Sequence, residues 1–212
     1  WMLTGPRPAQ AAEMMQSLGL DGPALQEPAQ QAPLPTLTAL SQKAAYPTRL
    51  AAWMLDRHVQ PPPIELDRLT RFVEREASRV VSRWRGALCL SNQQRDELMQ
   101  VLRLAARAAA WDAMGVAQRK RLLAEPLWSQ ALELLRALPE RQAVERIERQ
   151  AQPLLEEGVA PPPLVNGDDL IRMGLQPGPD FRRLLDGVYD AQLEGRVRDR
   201  REALAWVARL AS

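Results

Sequence analysis

Two proline triplets, Pro61-Pro62-Pro63 and Pro161-Pro162-Pro163, constrain this chain more than any other feature. Proline has no amide hydrogen and a fixed φ, so neither a helix interior nor the middle of a sheet runs through three in a row. The chain must fold in segments between stiff breaks, and 18 prolines in 212 residues cut it further. Between them Ala, Leu, Arg, Gln and Glu dominate, all good helix formers. β-branched and aromatic residues, which half-buried strands need, are scarce, and no stretch alternates apolar with polar residues. The expected fold class is all-α.

Helices are expected over residues 7–18, ending at Gly19, and over 36–45 and 47–57, the second opened by Pro47. Residues 21–35 hold five Gly or Pro and read as an extended loop. The clearest helix spans 64–86. At about 100° per residue, Leu66, Leu69, Val73, Ala77, Val80 and Trp84 share one face, and Arg68, Arg71, Arg75, Arg79 and Arg83 the opposite one. Ser91 with Gln94 is a capping-box signature for a helix to about Ala110. Further helices are expected at 116–124, 127–137 and 139–157. After the second triplet come 168–173, ended by Gly174, then Pro179 to Glu194, and 200–210 capped by Asp199 with Glu202. A boundary is expected at 158–163, between a multi-helix body and a small helical tail.

Net charge is only +2, but twelve basic residues against five acidic ones between Arg68 and Arg121 make a block of +7. Such a block is the electrostatic footprint of a polyanion-binding surface. Arginine offers a planar, permanently charged fork suited to phosphate, and the five on one face span roughly 22 Å of helix. The alternative is a solvated face, since the chain carries only two lysines, Lys43 and Lys120, among its cations.

One histidine, His58, and one cysteine, Cys89, exclude a conventional zinc cluster and argue against a Ser-His-Asp or Cys-His site. His58 reads as a surface or helix-end residue, Cys89 as core, and Asp168-Asp169 as first-turn caps that favour the helix dipole. A single cysteine cannot form an internal disulfide, so a reducing compartment and a cytoplasmic location are expected. No apolar run is long enough to span a membrane, and no signal peptide is visible. The chain opens at Trp1 in what reads as helix, so an upstream part is expected to be missing. Around Gly174 and Gly178 a helical hairpin is expected, with both glycines in conformations that a Cβ disfavours. The free amides of the helix starting at Pro179 could hold a phosphate, although Asp180 would compete there.

The segment Pro163-Leu-Val-Asn-Gly-Asp-Asp-Leu-Ile-Arg-Met-Gly-Leu-Gln-Pro-Gly-Pro179 resembles the tail of the bacterial tRNA nucleotidyltransferase (CCA-adding)/poly(A) polymerase family. It is followed by Leu184-Leu185, Ala191-Gln-Leu-Glu-Gly195 and Arg201-Glu-Ala-Leu-Ala205, which fit the same pattern. Earlier, Met2-Leu-Thr-Gly-Pro-Arg-Pro-Ala9 and Met14-Met-Gln-Ser-Leu-Gly-Leu20 are similar to the segment after that family's nucleotide-binding neck. Leu50-Ala-Ala-Trp-Met-Leu-Asp56 resembles its body helix, and Leu90-Ser91-Asn92 and Arg121-Leu-Leu-Ala-Glu-Pro126 also match.

The resemblance implies that residues 1–160 are a late-neck and body helical domain of degenerate His-Asp type, and 161–212 a helical tail. Where related bodies place metal-binding histidines this chain has Leu55, Leu104, Ala105 and Ala106, so no metal or catalytic residue is expected here. Mg²⁺ and ATP or CTP are implied only for the family's head, which with the neck would lie upstream. The implied role is to position RNA, such as tRNA or another RNA 3′ end, for CCA or poly(A) addition. The RNA-binding candidates are Arg68, Arg71, Arg75, Arg79, Arg83, Arg119, Lys120, Gly178 and Arg182. The second reading is a stand-alone helical module that binds protein.

Overall fold

The computed structural model describes residues 2–211. Among these residues the chain forms thirteen α-helices and two short 3-10 turns, with no strand, so the all-α expectation holds. In chain order the helices are α1 (Pro8–Ser17), α2 (Asp21–Leu25), α3 (Pro35–Ala39), α4 (Tyr46–His58), α5 (Leu66–Arg75), α6 (Ala77–Ala87) and α7 (Asn92–Ala109). They continue with α8 (Val116–Leu123), α9 (Trp128–Arg136), α10 (Arg141–Glu157), α11 (Gly167–Arg172), α12 (Pro179–Leu193) and α13 (Arg200–Ala211). The expected helical start at Trp1 lies outside the described residues, and Met2–Thr4 form a 3-10 turn.

The helices gather into two compact units. One comprises residues up to Trp111 together with Glu125–Arg149; the other comprises Asp112–Ala124 together with the residues from Gln150 onward. This division differs from the expected boundary at 158–163, because α8 belongs with the tail helices and the division passes through α10. The proline triplets interrupt the helices but do not decide which core a helix joins, and α10 itself runs through Pro153.

The first unit is built around α4, in which every residue from Pro47 to Arg57 is buried. A helix apolar on all sides, as Leu50 to Leu55 is, must sit inside other helices. It packs on α3, α7 and α9, and α7 packs in turn on α5, α6 and α9. Trp53 of α4 lies 5.2 Å, ring to ring, from Trp84 of α6, and Trp111 stacks 6.3 Å from Trp128. Arg49, Asp56 and Arg57 of α4 are each held by several partners, whereas the buried Trp53 Nε1 has no hydrogen-bond partner among the described residues. Arg49 donates to the carbonyls of Leu3, Gly5 and Gln42. Asp56 accepts the amides of Thr36 (3.0 Å) and Leu37 (2.9 Å), and so caps the start of α3 from another helix.

The second unit has its own core of Val165, Leu170, Leu184, Val188, Ala191, Val197, Ala203 and Val207. Arg121 ties α8 to α12 through Asp190 (2.6 Å) and Asp186 (3.4 Å), with its guanidinium 5.2 Å above the Tyr189 ring. Asn166 and Asp169 form a capping box at the start of α11, and Asp169 also binds Arg172 and Arg200. Asp169 is therefore a cap, as expected.

Four local expectations are corrected. Residues 21–35 are not all loop: Asp21–Leu25 is helical, held because the buried Asp21 accepts from Arg57 and from the Gln30 amide. The helix over 36–45 stops at Ala39, where Leu40 turns extended. The helix over 64–86 is two helices, broken at Glu76 (φ −126°, ψ −34°). Helix α5 buries Leu66, Leu69 and Phe72, and α6 buries Ala77, Val80, Val81 and Trp84. On a straight helix Leu69 and Trp84 would lie about 60° apart, so one irregular residue lets both faces pack. Finally, Cys89 is exposed rather than core. It takes the left-handed position (φ 52°) that ends α6, while Leu90 behind it bonds the Arg85 carbonyl and is buried.

Candidate nucleic-acid interface

The break at Glu76 splits the arginine stripe, and the five side chains have different fates. Arg68 is half-buried and donates to the carbonyls of Gln60, Pro61 and Pro63, so it pins the first proline triplet. Arg83 lies 3.1 Å from the buried Glu27 carboxylate and is drawn inward. The expectation of five equivalent solvent-facing arginines is corrected to three. Arg71 donates from Nε to the Asp67 carbonyl at 3.3 Å and lies 4.0 Å from its carboxylate, and Arg79 approaches Glu76 to 3.7 Å, both largely exposed. Arg75, at the end of α5, is exposed and has no hydrogen-bond or ion-pair partner among the described residues. Surface pairs of this looseness contribute little to stability, and their cations remain open to an anion.

Below these arginines lies a shallow depression of about 260 Å³, lined by Arg68, Arg71, Arg75, Phe72, His58 and Gln60. His58 is helix-ending, as expected, but its side chain is only 17% exposed. Its ring stacks on Phe72 at 5.9 Å, and its Nε2 lies 3.1 Å from Glu27 without aligning as a hydrogen bond. Burial pushes the His58 pKa below its usual value, against the pull of the Glu27 carboxylate.

Glu27 is the hub of a polar network that sequence reading missed. It accepts from Arg57, Arg83 and the Trp84 indole, while Arg57 also reaches Asp21 and the Pro28 carbonyl. For Asp21, burial alone would raise the carboxyl pKa. The Gln30 amide and the Arg57 guanidinium outweigh that and hold it below the usual carboxylate range. No local pattern announces such a network, because its members come from three segments distant in sequence.

The remaining candidates belong to the second unit. Lys120 is buried, with its Nζ 2.8 Å from Glu157, so it is a structural ion pair rather than an open phosphate contact. Arg119 is half-buried. Arg182 is 92% exposed and approaches Asp186 to 3.8 Å. Gly174 has φ +82° as expected, but Gly178 has φ 179° and a Cβ there would meet only the Gln176 carbonyl oxygen at 3.9 Å. The hairpin expectation is corrected for Gly178, whose backbone is ordinary extended chain. Asp180 occupies the first turn of α12 and pairs with Arg183 at 3.4 Å.

A second groove, absent from the sequence-based candidates, runs between α6 and α7. Ser78, Val81 and Ser82 line one side, and Arg95, Asp96, Met99, Gln100 and Arg103 the other, around about 550 Å³. Arg95 and Arg103 belong to the basic block, but their meeting with the α6 serines needs the packing of one helix on the other.

Asp56 is sequestered. Both its oxygens serve the α3 amides, and its side chain is buried. Among the described residues no three His, Cys, Asp or Glu side chains are grouped to hold a metal ion, and no helix is long and apolar enough to cross a membrane. No protein-family model, curated protein or solved structure matches this chain.

Proposed function

We propose that this chain grips the phosphate backbone of RNA, as the helical body and tail of a template-independent nucleotidyltransferase that extends RNA 3′ ends. The observation that carries the reading is the exposed trio Arg71, Arg75 and Arg79, placed across the α5–α6 break and held by no strong partner. Arginines that stabilise a fold are drawn into pairs and carbonyl cages, as Arg49, Arg57 and Arg68 are. Arg75 has no such partner, Arg71 makes one carbonyl contact (3.3 Å) and Arg79 one loose pair, and all three sit in the block that carries the chain's excess positive charge. In this reading nucleotide transfer, Mg²⁺ and ATP or CTP belong to a separate head region. This chain supplies positioning contacts, which go to phosphate and carry little sequence information.

The test is a titration with labelled tRNA at several salt concentrations, comparing the chain with Arg75→Gln/Arg79→Gln. Gln has nearly the helix propensity of Arg, so the fold is kept. The double variant should bind more weakly, with a log–log salt slope shallower by about two, because each lost phosphate contact releases about one counterion fewer. Identical affinity and slope would show that the trio is a solvated face. No tRNA binding at low salt would leave the protein-binding module as the better account, with the exposed Ile171, Met173 and Leu210 as its first surface to probe.

A further inference from the structure

We propose that the α6–α7 groove seats a further RNA backbone phosphate, with Arg103 as the charge that meets it. The inference rests on the RNA reading above and adds a contact that the arginine trio does not supply. The groove has one acid, Asp96, and Arg95 beside it lies 2.6 Å away, so that pair is close to neutral. Arg103 is different. Its neighbours one turn away on α7 are Met99, Gln100, Ala106 and Arg107, none of them an acid. Arg107 is itself turned to Glu125 at 3.5 Å. Arg103 has no hydrogen-bond or ion-pair partner among the described residues.

An uncompensated guanidinium in a concave site concentrates positive potential there. The donor set suits phosphate. The Arg103 fork offers parallel N–H groups, and Ser78, whose hydroxyl has no hydrogen-bond partner among the described residues, lines the same groove. Ser82, by contrast, already donates to the Ser78 carbonyl at 2.9 Å.

Spacing points to a chain of phosphates rather than one free anion. Arg95 and Arg103 stand eight residues apart on α7, which is about 12 Å along the axis. An RNA strand can lie along that length, with Arg103 as the uncompensated contact and Arg95 held by Asp96. The groove also borders the trio. Ser78 of the groove adjoins Arg79 in sequence, about 100° around α6.

The experiment is the same tRNA titration across salt with Arg103→Gln, Arg103→Lys and Arg149→Gln, the last an exposed arginine on α10 that serves as a charge control. Arg103→Gln should weaken binding several-fold and lower the salt slope by about one. Arg103→Lys should restore the slope, and Arg149→Gln should change neither. Unchanged binding by Arg103→Gln, in a chain whose binding still depends on Arg75 and Arg79, would overturn the groove and leave the RNA reading standing. An equal loss in Arg149→Gln would also overturn it, since the effect would then be general charge. ATP that displaces tRNA from the chain but not from Arg103→Gln would overturn it in favour of a nucleotide site. No tRNA binding at low salt would sink the RNA reading and the groove together.

Discussion

Asp56 shows how far a residue's role depends on what meets it in space. Burial raises its carboxyl pKa to about 6, although the Leu37 and Thr36 amides pull the other way. The folded chain then keeps a proton that the unfolded chain has released, so between about pH 4 and the folded value this group lowers stability as pH rises. Asp56→Asn removes that dependence. Urea melts of the variant should show stability rising more steeply from pH 4 to pH 6 than in the unmodified chain, by roughly 3 kcal/mol over the window. Equal slopes would mean that Asp56 is ionised throughout. His58 has the opposite sign. Its lowered pKa contributes stability that is present above the ordinary histidine value and is lost as pH falls through the folded value.

At the scale of elements, helix ends with a capping box or a left-handed glycine were the most legible feature and helix continuity the least. Gly174 ends α11 with φ +82°, while the Leu175 amide reaches back to Leu170 and the Gly174 amide to Ile171. Any side chain there is strained, whereas Gly178 is extended and open. Gly174→Val should lower stability by roughly 1–3 kcal/mol, and Gly178→Ala by much less. Equal denaturation midpoints for the two variants would show that the turn does not depend on the left-handed position. The box at Ser91 and Gln94 is present as expected, because both members sit within one turn and nothing distant can displace them. The break at Glu76 had no such signal. No Gly or Pro marks it, and it follows from where Phe72 and Trp84 find their partners, His58 and Trp53.

For the whole molecule, the two units carry separate cores, and Arg121 is the main polar tie between α8 and α12 in the second. It loses two carboxylate contacts and a ring contact when truncated. Site-resolved hydrogen exchange on Arg121→Ala should show protection in α8 and α12 reduced by about 1–2 kcal/mol, in line with partly exposed ion pairs and a cation–π contact. Protection in α4 and α7 should be unchanged. A uniform loss across both units would show one cooperative core instead.

Composition, proline placement and capping chemistry determined that this chain is all helical and where most helices start and stop, because those effects act within a turn of the residue concerned. The sequence also marked the basic block, since charge is additive along a chain. Only the tertiary structure decided which arginines stay open. It spent Arg68 on the proline-triplet carbonyls, Arg83 on Glu27 and buried Lys120 against Glu157, and left Arg71, Arg75, Arg79 and Arg103 at the surface. An arginine's availability depends on the acids and carbonyls that packing brings to it, and those come from segments that spacing along the chain does not reveal.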